Sequence, residues 1–352
     1  MNNIVILIPA YNPNQKLINL VLELKNTFSK ILIINDGSSK KSKKIFQELA
    51  NYSECTILEY SENKGKGYAL KYGINYYLEN LKDNYQGIVT ADCDYQHKPE
   101  DIINIALKLS GNQDSIILGV RNFHLKNIPF PNRFGNLLTS FIFKFLYGIK
   151  IEDTQAGLRA IPNRYLNICL ETNGNRFEFE MNMLIKAVKN KINILEVPIE
   201  TIYYSKGESK FNKFKDSIII YKVLFTEYLK FIISSLSCSL IDVILFSMFL
   251  QLFINVNSNI QIIMATFFSR IITDFFNFNI NKTIVFNSHE NIKKIAIKYY
   301  ILSFSKMIIS ALCVLLIHHL LININETYIK IVVDTFIYFL SYKIQKKYIF
   351  KT

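Results

Sequence analysis

The chain has 352 residues, 41 Lys and Arg against 28 Asp and Glu, a formal net charge of +13, and 50% hydrophobic residues. That length allows more than one domain, and the basic balance points to an anionic partner such as nucleic acid, a membrane surface or a charged substrate. No compact Lys/Arg run with interleaved aromatics is present, which argues against nucleic acid, and the scattered Cys55, Cys93, Cys169, Cys238 and Cys313 have neither metal spacing nor a paired framework, which points to a reducing compartment.

The first part of the chain alternates strands and helices. The start, MNNIVILIPAYN, has no basic run and no small-residue cleavage site, so Ile4 to Ala10 reads as a first strand and not as a signal peptide. Leu17, Leu20, Val21 and Leu24 follow at helical spacing, and Ile31 to Ile34 is a second strand ending in Asn35-Asp36-Gly37-Ser38. The pattern continues with a helix over Lys41 to Tyr52, a strand over Thr56 to Tyr60 and a helix over Gly67 to Leu81. A strand over Ile88 to Ala91, a helix from Pro99 to Leu109 and a strand over Ile116 to Val120 complete it. Such alternation predicts a mostly parallel sheet covered on both faces, with ligands beyond the carboxyl ends of its strands. Tyr11-Asn12, Asp36 to Ser38, Asp92 to Gln96 and Arg121-Asn122 all fall at those ends. Four loops converging on one edge carry more weight than any one of them.

Asn136 to Tyr147 is apolar but too short to span a bilayer, and reads either as a helix lying in a membrane interface or as an ordinary core helix. Ser209 to Phe225 mixes Lys with Phe and Ile and also suits an interface. After Tyr228 come four long apolar segments, about 229–254, 258–281, 297–322 and 327–345, each near the roughly 20 residues that cross a hydrocarbon core. The basic linker (Lys282, Lys293, Lys294, Lys298) and tail (Lys343, Lys346, Lys347, Lys351) put both termini in the cytoplasm by the positive-inside rule. Asp242, Arg270, Asp274, Lys306 and Asp334 would then be intramembrane charges that pair inside the bundle, Arg270 and Asp274 being one helical turn apart.

The stretch Thr90-Ala91-Asp92-Cys93-Asp94-Tyr95-Gln96-His97 is the most informative. Two carboxylates at strand spacing point to one side and suit a hard divalent cation with the phosphates it bridges, although an acidic turn has the same spelling. Ile8-Pro9-Ala10-Tyr11-Asn12, Asn35 to Ser38, Asn63-Lys64-Gly65-Lys66-Gly67 and Asp92-x-Asp94-x-Gln96-His97 together resemble the family-2 glycosyltransferases of GT-A fold. Asp153-Thr154-Gln155-Ala156-Gly157 and Phe177-Glu178-Phe179-Glu180 narrow the resemblance to the polyprenyl- or dolichyl-phosphate sugar synthases. Asn277 to Lys282 followed by Val285-Phe286 resembles a GtrA-like four-helix membrane domain.

The resemblance implies an α/β, Rossmann-like GT-A domain over 1–208, juxtamembrane amphipathic helices over 209–227 and an all-α transmembrane domain over 228–352. It implies inverting transfer of a sugar from a UDP- or GDP-linked donor to undecaprenyl or dolichyl phosphate, with Mg2+ or Mn2+ as cofactor, at the cytoplasmic face of the inner membrane. By the same resemblance Asp92, Asp94 and Gln96 are the metal and donor-diphosphate positions, with Cys93 between them, and Asp94 is the direct ligand. Pro9, Tyr11, Asn12 and Asp36 hold the nucleoside, where the Asp36 stretch read alone is a turn with a helix cap; Lys66 suits a phosphate, an acidic neighbour or solvent. Arg121, Arg133 and Lys210 match the basic residues that hold the acceptor phosphate, with Arg121 beside the transferred sugar. His97 is expected to orient the metal loop. Tyr204 stands where many relatives carry an arginine, with Lys206 as a substitute, and Asn12-Pro13 where many have Asn-Glu. The implied chain is membrane-bound, binds no nucleic acid and is allowed to form homo-oligomers.

Three other readings compete. A processive polysaccharide synthase needs a Gln/Arg-x-x-Arg-Trp motif, and the chain has no Trp. A nucleotidyltransferase needs a Gly-rich loop after the first strand, where Ile8-Pro9-Ala10-Tyr11 stands. The rival from another class is a lipid-linked sugar translocase whose first half only recognises substrate.

Overall fold

The apolar run Ile4–Ala10 becomes strand β1, and all seven of its residues are buried, as a strand covered on both faces requires. The computed structural model describes residues 3–123, 128, 130–200, 213–255, 257–288, 290–320 and 326–350. Two compact units divide the chain, Met1–Leu224 and Phe225–Thr352.

In the first unit β1 is followed by α1 (Gln15–Leu24), β2 (Ile31–Asp36), α2 (Lys43–Leu49), β3 (Cys55–Tyr60), α3 (Lys66–Asn80), β4 (Gly87–Thr90), α4 (Pro99–Ser110) and β5 (Ser115–Arg121). Then come α5 (Phe130–Tyr147), β6 (Arg159–Pro162), α6 (Asn163–Leu170), α7 (Glu178–Lys189) and β7 (Asn193–Ile199). α1 buries Leu17, Ile18, Leu20, Val21 and Leu24 on one face, and the Asn14 side chain caps it by accepting from the Lys16 N–H. The helix expected over 41–52 is shorter: a 3-10 turn at Lys40–Ser42 precedes α2, which ends at Leu49. Ser42 in that turn is buried and its hydroxyl donates to the Pro13 carbonyl, which holds the turn against the β1–α1 connection.

The seven strands lie in the order β3-β2-β1-β4-β6-β5-β7. β1 is parallel to β2 and β4, and β5 to β7, while β6 runs antiparallel to β4 and β5. The carboxyl ends of β1, β2, β4 and β5 therefore share one edge, as the sequence predicts. Because β6 is reversed, its first residue Arg159 sits beside Thr90, the last of β4. The loop that precedes β6, residues 153–157, is thereby delivered to the same edge.

α5 starts six residues earlier than expected, with Pro131 in its first turn, where a missing N–H costs nothing. Its inner face buries Asn136, Thr139, Ser140, Phe143 and Leu146, and its outer face exposes Phe134, Leu137, Leu138 and Phe141. The buried face agrees with the core-helix reading of this segment, and the opposite face is apolar and exposed.

α8 (Lys213–Leu252) is one continuous 40-residue helix. The separate juxtamembrane helix expected over 209–227 is not a separate element from Lys213 onward, because no Gly or Pro interrupts the stretch; its first residues, 209–212, lie outside the described residues. The early turns of α8 pack on α5, where the Tyr221 hydroxyl is 3.3 Å from Thr139 Oγ1 and the Tyr147 hydroxyl donates to the Leu224 carbonyl. Among the described residues, Asp216–Leu252 is the one helical stretch long and apolar enough to cross a membrane by length and composition.

The second unit continues with α9 (Ser258–Ile280), α10 (Ile292–Leu320) and α11 (Glu326–Ile344). Arg270 of α9 reaches Asp242 of α8, Nε to Oδ2 3.5 Å, and the Thr273 hydroxyl donates to the same carboxylate. Asp334 lies among side chains outside the description. α9 and α11 end alike. Each runs into a five-residue π-helical turn, Asn281–Val285 and Gln345–Ile349, closed when Phe286 and Phe350 donate their N–H to the Asn281 and Gln345 carbonyls. The two ends are 64 residues apart in register and meet: Asn281 Nδ2 donates to Gln345 Oε1 at 3.3 Å, and the Phe286 and Phe350 rings stack at 4.9 Å. The contacts are reciprocal, Phe286 against Tyr342 and Phe278 against Phe350, as between two copies of one element. The two helix pairs thus repeat one design around a buried polar knot, which Ser234 and Ser341 complete.

Asn281→Leu is expected to destabilise the detergent-solubilised chain by about 1–3 kcal/mol, because Gln345 and Ser234 lose a partner in a buried site. Asn281→Leu with Gln345→Leu should lose less than the two single changes summed, which an unfolding double-mutant cycle measures.

Candidate active site

β4 ends at Thr90, whose hydroxyl donates to the Gly157 carbonyl, and the chain then turns through Ala91 to His97. Asp94 Oδ1 accepts the Gln96 N–H at 3.1 Å, a local turn that Asp forms readily. Tyr95 between them has φ 63°, a left-handed conformation that costs a non-glycine residue energy. Its hydroxyl donates to the Glu23 carboxylate of α1, so a tertiary bond holds the strained turn. Cys93 is half-buried and packs on the core under the sheet. His97 Nδ1 accepts the Asp92 N–H at 3.3 Å, which puts the ring proton of the neutral imidazole on Nε2, 3.9 Å from Asp92 Oδ2. Burial disfavours the imidazolium and pulls His97 down to about 4, although the Asp92 charge opposes this. The imidazole is therefore neutral near pH 7 and bonded to the backbone of the acidic loop.

Lys66 opens α3, and its ammonium lies between two carboxylates, 2.6 Å from Asp92 Oδ1 and 2.9 Å from Glu180 Oε1. Of the three surroundings open to Lys66 from sequence, the acidic neighbour is the one observed. Burial pushes Lys66 down, but the two carboxylates outweigh it and hold the amine above the ordinary lysine range. Burial likewise pushes Asp92 up, and the Lys66 ammonium foremost, with Arg121 and, once its ring is protonated in acid, His97, brings it down to about 2. Asp94 moves the other way: burial and then the Asp92 charge raise it. The two acids of one loop are thus driven apart in acidity. Gly157 lies against Asp92, and a Cβ there would be 2.6 Å from Asp92 Oδ2.

Arg121, the last residue of β5, is held from two sides. Its Nε and Nη2 donate to Asp153 at 2.6 and 3.0 Å, and its guanidinium stacks over the Phe123 ring. Asp153 is fully buried, and its Oδ1 also accepts the Gln155 N–H. α5 fastens the same segment: Asn136 Nδ2 donates to the Glu152 carbonyl and the Ser140 hydroxyl to the Ile151 carbonyl. Arg159, buried in β6, donates to the carbonyls of Ala156 and Glu180 and so ties the loop before β6 to the first turn of α7.

The loops after β1 and β2 are laced together. Ser38 Oγ accepts the Asn12 N–H, and Asn12 Oδ1 accepts the Ser39 N–H. Tyr11 is exposed, and Pro9 is buried in β1. Asp36 is buried and accepts from the Tyr60 hydroxyl, Asn63 Nδ2 and the Lys64 and Gly65 amides. Its carboxylate anchors the Asn63 to Gly67 loop, and with it Lys66, a structural part that neither the turn nor the nucleoside reading of this residue had given it.

Asp92, Asp94, Lys66 and Arg121 meet at one edge, their charges acting on one another. Arg133 lies half-buried in the first turn of α5. Lys210, with Tyr204 and Lys206, lies outside the described residues. Sequence reasoning used Glu180 only as part of a family motif, without a place in the site, and gave no part to Arg159. Glu178, two residues before Glu180, caps the helix start by accepting the Asn175 and Arg176 amides; only their different depth separates two Glu of one motif.

Among the described residues no three or more His, Cys, Asp and Glu side chains gather into a metal cage. Mg2+ needs none, since it is held by one or two carboxylates together with substrate phosphates. The donor set fits that pattern. Asp94 beside Asp92 is a pair whose mutual repulsion a cation relieves, and Gln96 adds an amide oxygen on the same loop.

Residues 5–167 match the family described as Glycosyl transferase family 2, and residues 230–350 match the GtrA/DPMS transmembrane domain. A UDP-N-acetylglucosamine–dolichyl-phosphate N-acetylglucosaminyltransferase of Methanococcus voltae is 34% identical over 218 residues, which cover 57% of this chain and 86% of that protein. A polyprenol monophosphomannose synthase of Mycolicibacterium smegmatis is 24% identical, over 58% of this chain and 79% of that one. Among solved structures, mannosyl-3-phosphoglycerate synthase from Rubrobacter xylanophilus superposes with a TM-score of 0.47 at 12% identity, over 64% of this chain and 74% of that one.

With His97 at about 4 in the folded chain and about 6.5 unfolded, the unfolded state binds more protons between those values. Stability should therefore fall as pH drops from about 6.5 to about 4, by about 3 kcal/mol. Urea unfolding at stepped pH should show that slope in the unaltered chain and lose it in His97→Asn.

Proposed function

The chain belongs to glycosyl transferase family 2 and carries a GtrA/DPMS transmembrane domain, and from that premise we propose that it transfers a sugar from a nucleotide-sugar to a polyprenyl phosphate, with inversion. One observation carries the reading most. The inner face of α5 is bonded to residues 151–152, next to the Asp153 that holds Arg121, while its outer face exposes an apolar stripe, Phe134 at 56% and Phe141 at 68%. A guanidinium suited to a phosphate thus stands behind a helix suited to lipid.

In this reading Tyr11, Asn12 and the β2 loop face the nucleoside, and the donor diphosphate lies toward Lys66 and the Asp92–Gln96 loop. Asp94, with Asp92 and Gln96, would hold Mg2+ or Mn2+, which when bound neutralises charge on the departing diphosphate. Arg121, with Arg133 and Lys210, takes the acceptor phosphate. An oxygen of that phosphate attacks the anomeric carbon, and the bond from that carbon to the nucleoside diphosphate breaks, so configuration inverts. A phosphate monoester is already anionic near neutral pH, so the residues have no proton to remove. Their work is to orient and to stabilise charge. Asp153 fixes the plane of the Arg121 guanidinium and so the direction from which the phosphate oxygen approaches.

We assign residues 1–208 to catalysis, 209–227 to the membrane approach and 228–352 to the bilayer, with the active site and both termini on the cytoplasmic side of the inner membrane. The positive-inside pattern of the basic linker and tail supports that orientation.

Asp94→Asn should lower transfer to polyprenyl phosphate in vesicles by at least about 100-fold; unchanged turnover would remove Asp94 from the reaction. A panel of UDP- and GDP-sugars with radiolabelled transfer into lipid identifies the donor. Asp153→Asn should raise KM for polyprenyl phosphate by roughly tenfold or more while leaving KM for the donor near its original value, because the loss falls on Arg121.

A further inference from the structure

Glu180 belongs to α7, not to the acidic loop after β4, yet it shares the ammonium that Asp92 uses. The sharing is built in rather than incidental. Lys66 and Glu180 are 16% and 10% exposed at their side chains, so neither charge is left to water. Glu180 is placed by groups other than Lys66: Arg159 fixes its carbonyl, and Glu178 caps the turn before it. Lys66 is placed by the loop that Asp36 anchors. Beside the pair, position 157 has no side chain, and a Cβ there would stand 3.0 Å from Lys66 Nζ as well as against Asp92. That leaves the ammonium and the Asp92 carboxylate room on that side.

A single lysine beside a single aspartate would oppose a divalent cation. Cation binding would have to pull the ammonium away and leave it buried and unpaired, which is strongly unfavourable. A second carboxylate within reach changes the balance, because the ammonium keeps an anion when Asp92 releases it. This rests on the reading of Asp92 and Asp94 as the residues that hold the metal. We propose that Glu180 is a positioning residue that gives Lys66 a second anion, so that Asp92 exchanges the lysine for a divalent cation without stranding a buried charge.

The test is Mn2+ affinity of the detergent-solubilised full chain without donor, read from the free-ion electron paramagnetic resonance signal. The variants are Glu180→Gln, Lys66→Met and both together, each checked for folding by its circular dichroism. Glu180→Gln keeps shape and removes charge, and should weaken Mn2+ roughly tenfold, in the range of couplings within one ion-pair network. In the Lys66→Met background, which has no ammonium to strand, Glu180→Gln should change Mn2+ affinity by less than about twofold. Equal weakening in both backgrounds would mean that Glu180 acts only as distant negative charge, and would overturn the proposal; so would no weakening in either. If the unaltered chain bound no Mn2+, the metal reading of Asp92 and Asp94 would fall, and this proposal with it.

Discussion

Charge at the carboxyl edge of the sheet has to be matched, and the first unit is organised around that constraint. Asp36, Asp153 and Glu180 are buried, and Asp92 is only partly open. A bare carboxylate in such a place is too costly to keep ionised. Each is satisfied differently. Asp36 is met by two backbone amides, an amide side chain and a tyrosine; Asp153 by the fork of Arg121; Asp92 and Glu180 by one lysine. Every one of these pairings joins separate elements, so the charges that would handle a phosphate also fix the relative places of β2, β4, β5, α3 and α7.

The membrane half obeys the opposite constraint. Many of its outward residues are apolar and exposed, Leu236, Leu240, Val243 and Met248 among them, while Ser234, Thr273, Asn281, Ser341 and Gln345 are buried. The Asn281–Gln345 contact and the stacked Phe286 and Phe350 rings stand where the two helix pairs meet. Equivalent positions of the repeat carry equivalent duties, and a π-helical turn ends each pair. Such turns are rare, and finding one at the same register of both halves marks it as part of the design and not as an irregularity.

The parallel sheet, the helices after each strand and the convergence of four loops were legible because buried parallel strands require continuous apolar runs such as Ile4 to Ala10 and Ile31 to Ile34. The Asp92 and Asp94 pair was legible as two carboxylates just past a strand end, but both lie in the turn after Thr90 and not on the strand, so strand spacing does not set their directions. The break expected between the juxtamembrane and spanning helices was not real. Lysines interleaved with apolar residues before Phe225 suggested a boundary, but a change of polarity does not stop a helix that lacks Gly and Pro.

The sequence by itself determined the strands and helices of about the first 120 residues, apart from their ends, which loops end at the sheet edge and where the long apolar segments lie, because periodicity and composition are local properties; β6, α6, α7 and β7 were not read from it. Only the tertiary structure decided which charges meet. It took the reversed strand β6, set between β4 and β5, to carry Asp153 to Arg121, and it took the docking of α7 on α3 to bring Glu180 to Lys66. Pairing across 32 or 114 positions leaves no periodic mark in a chain, since it is fixed by how elements stack and not by how neighbours alternate.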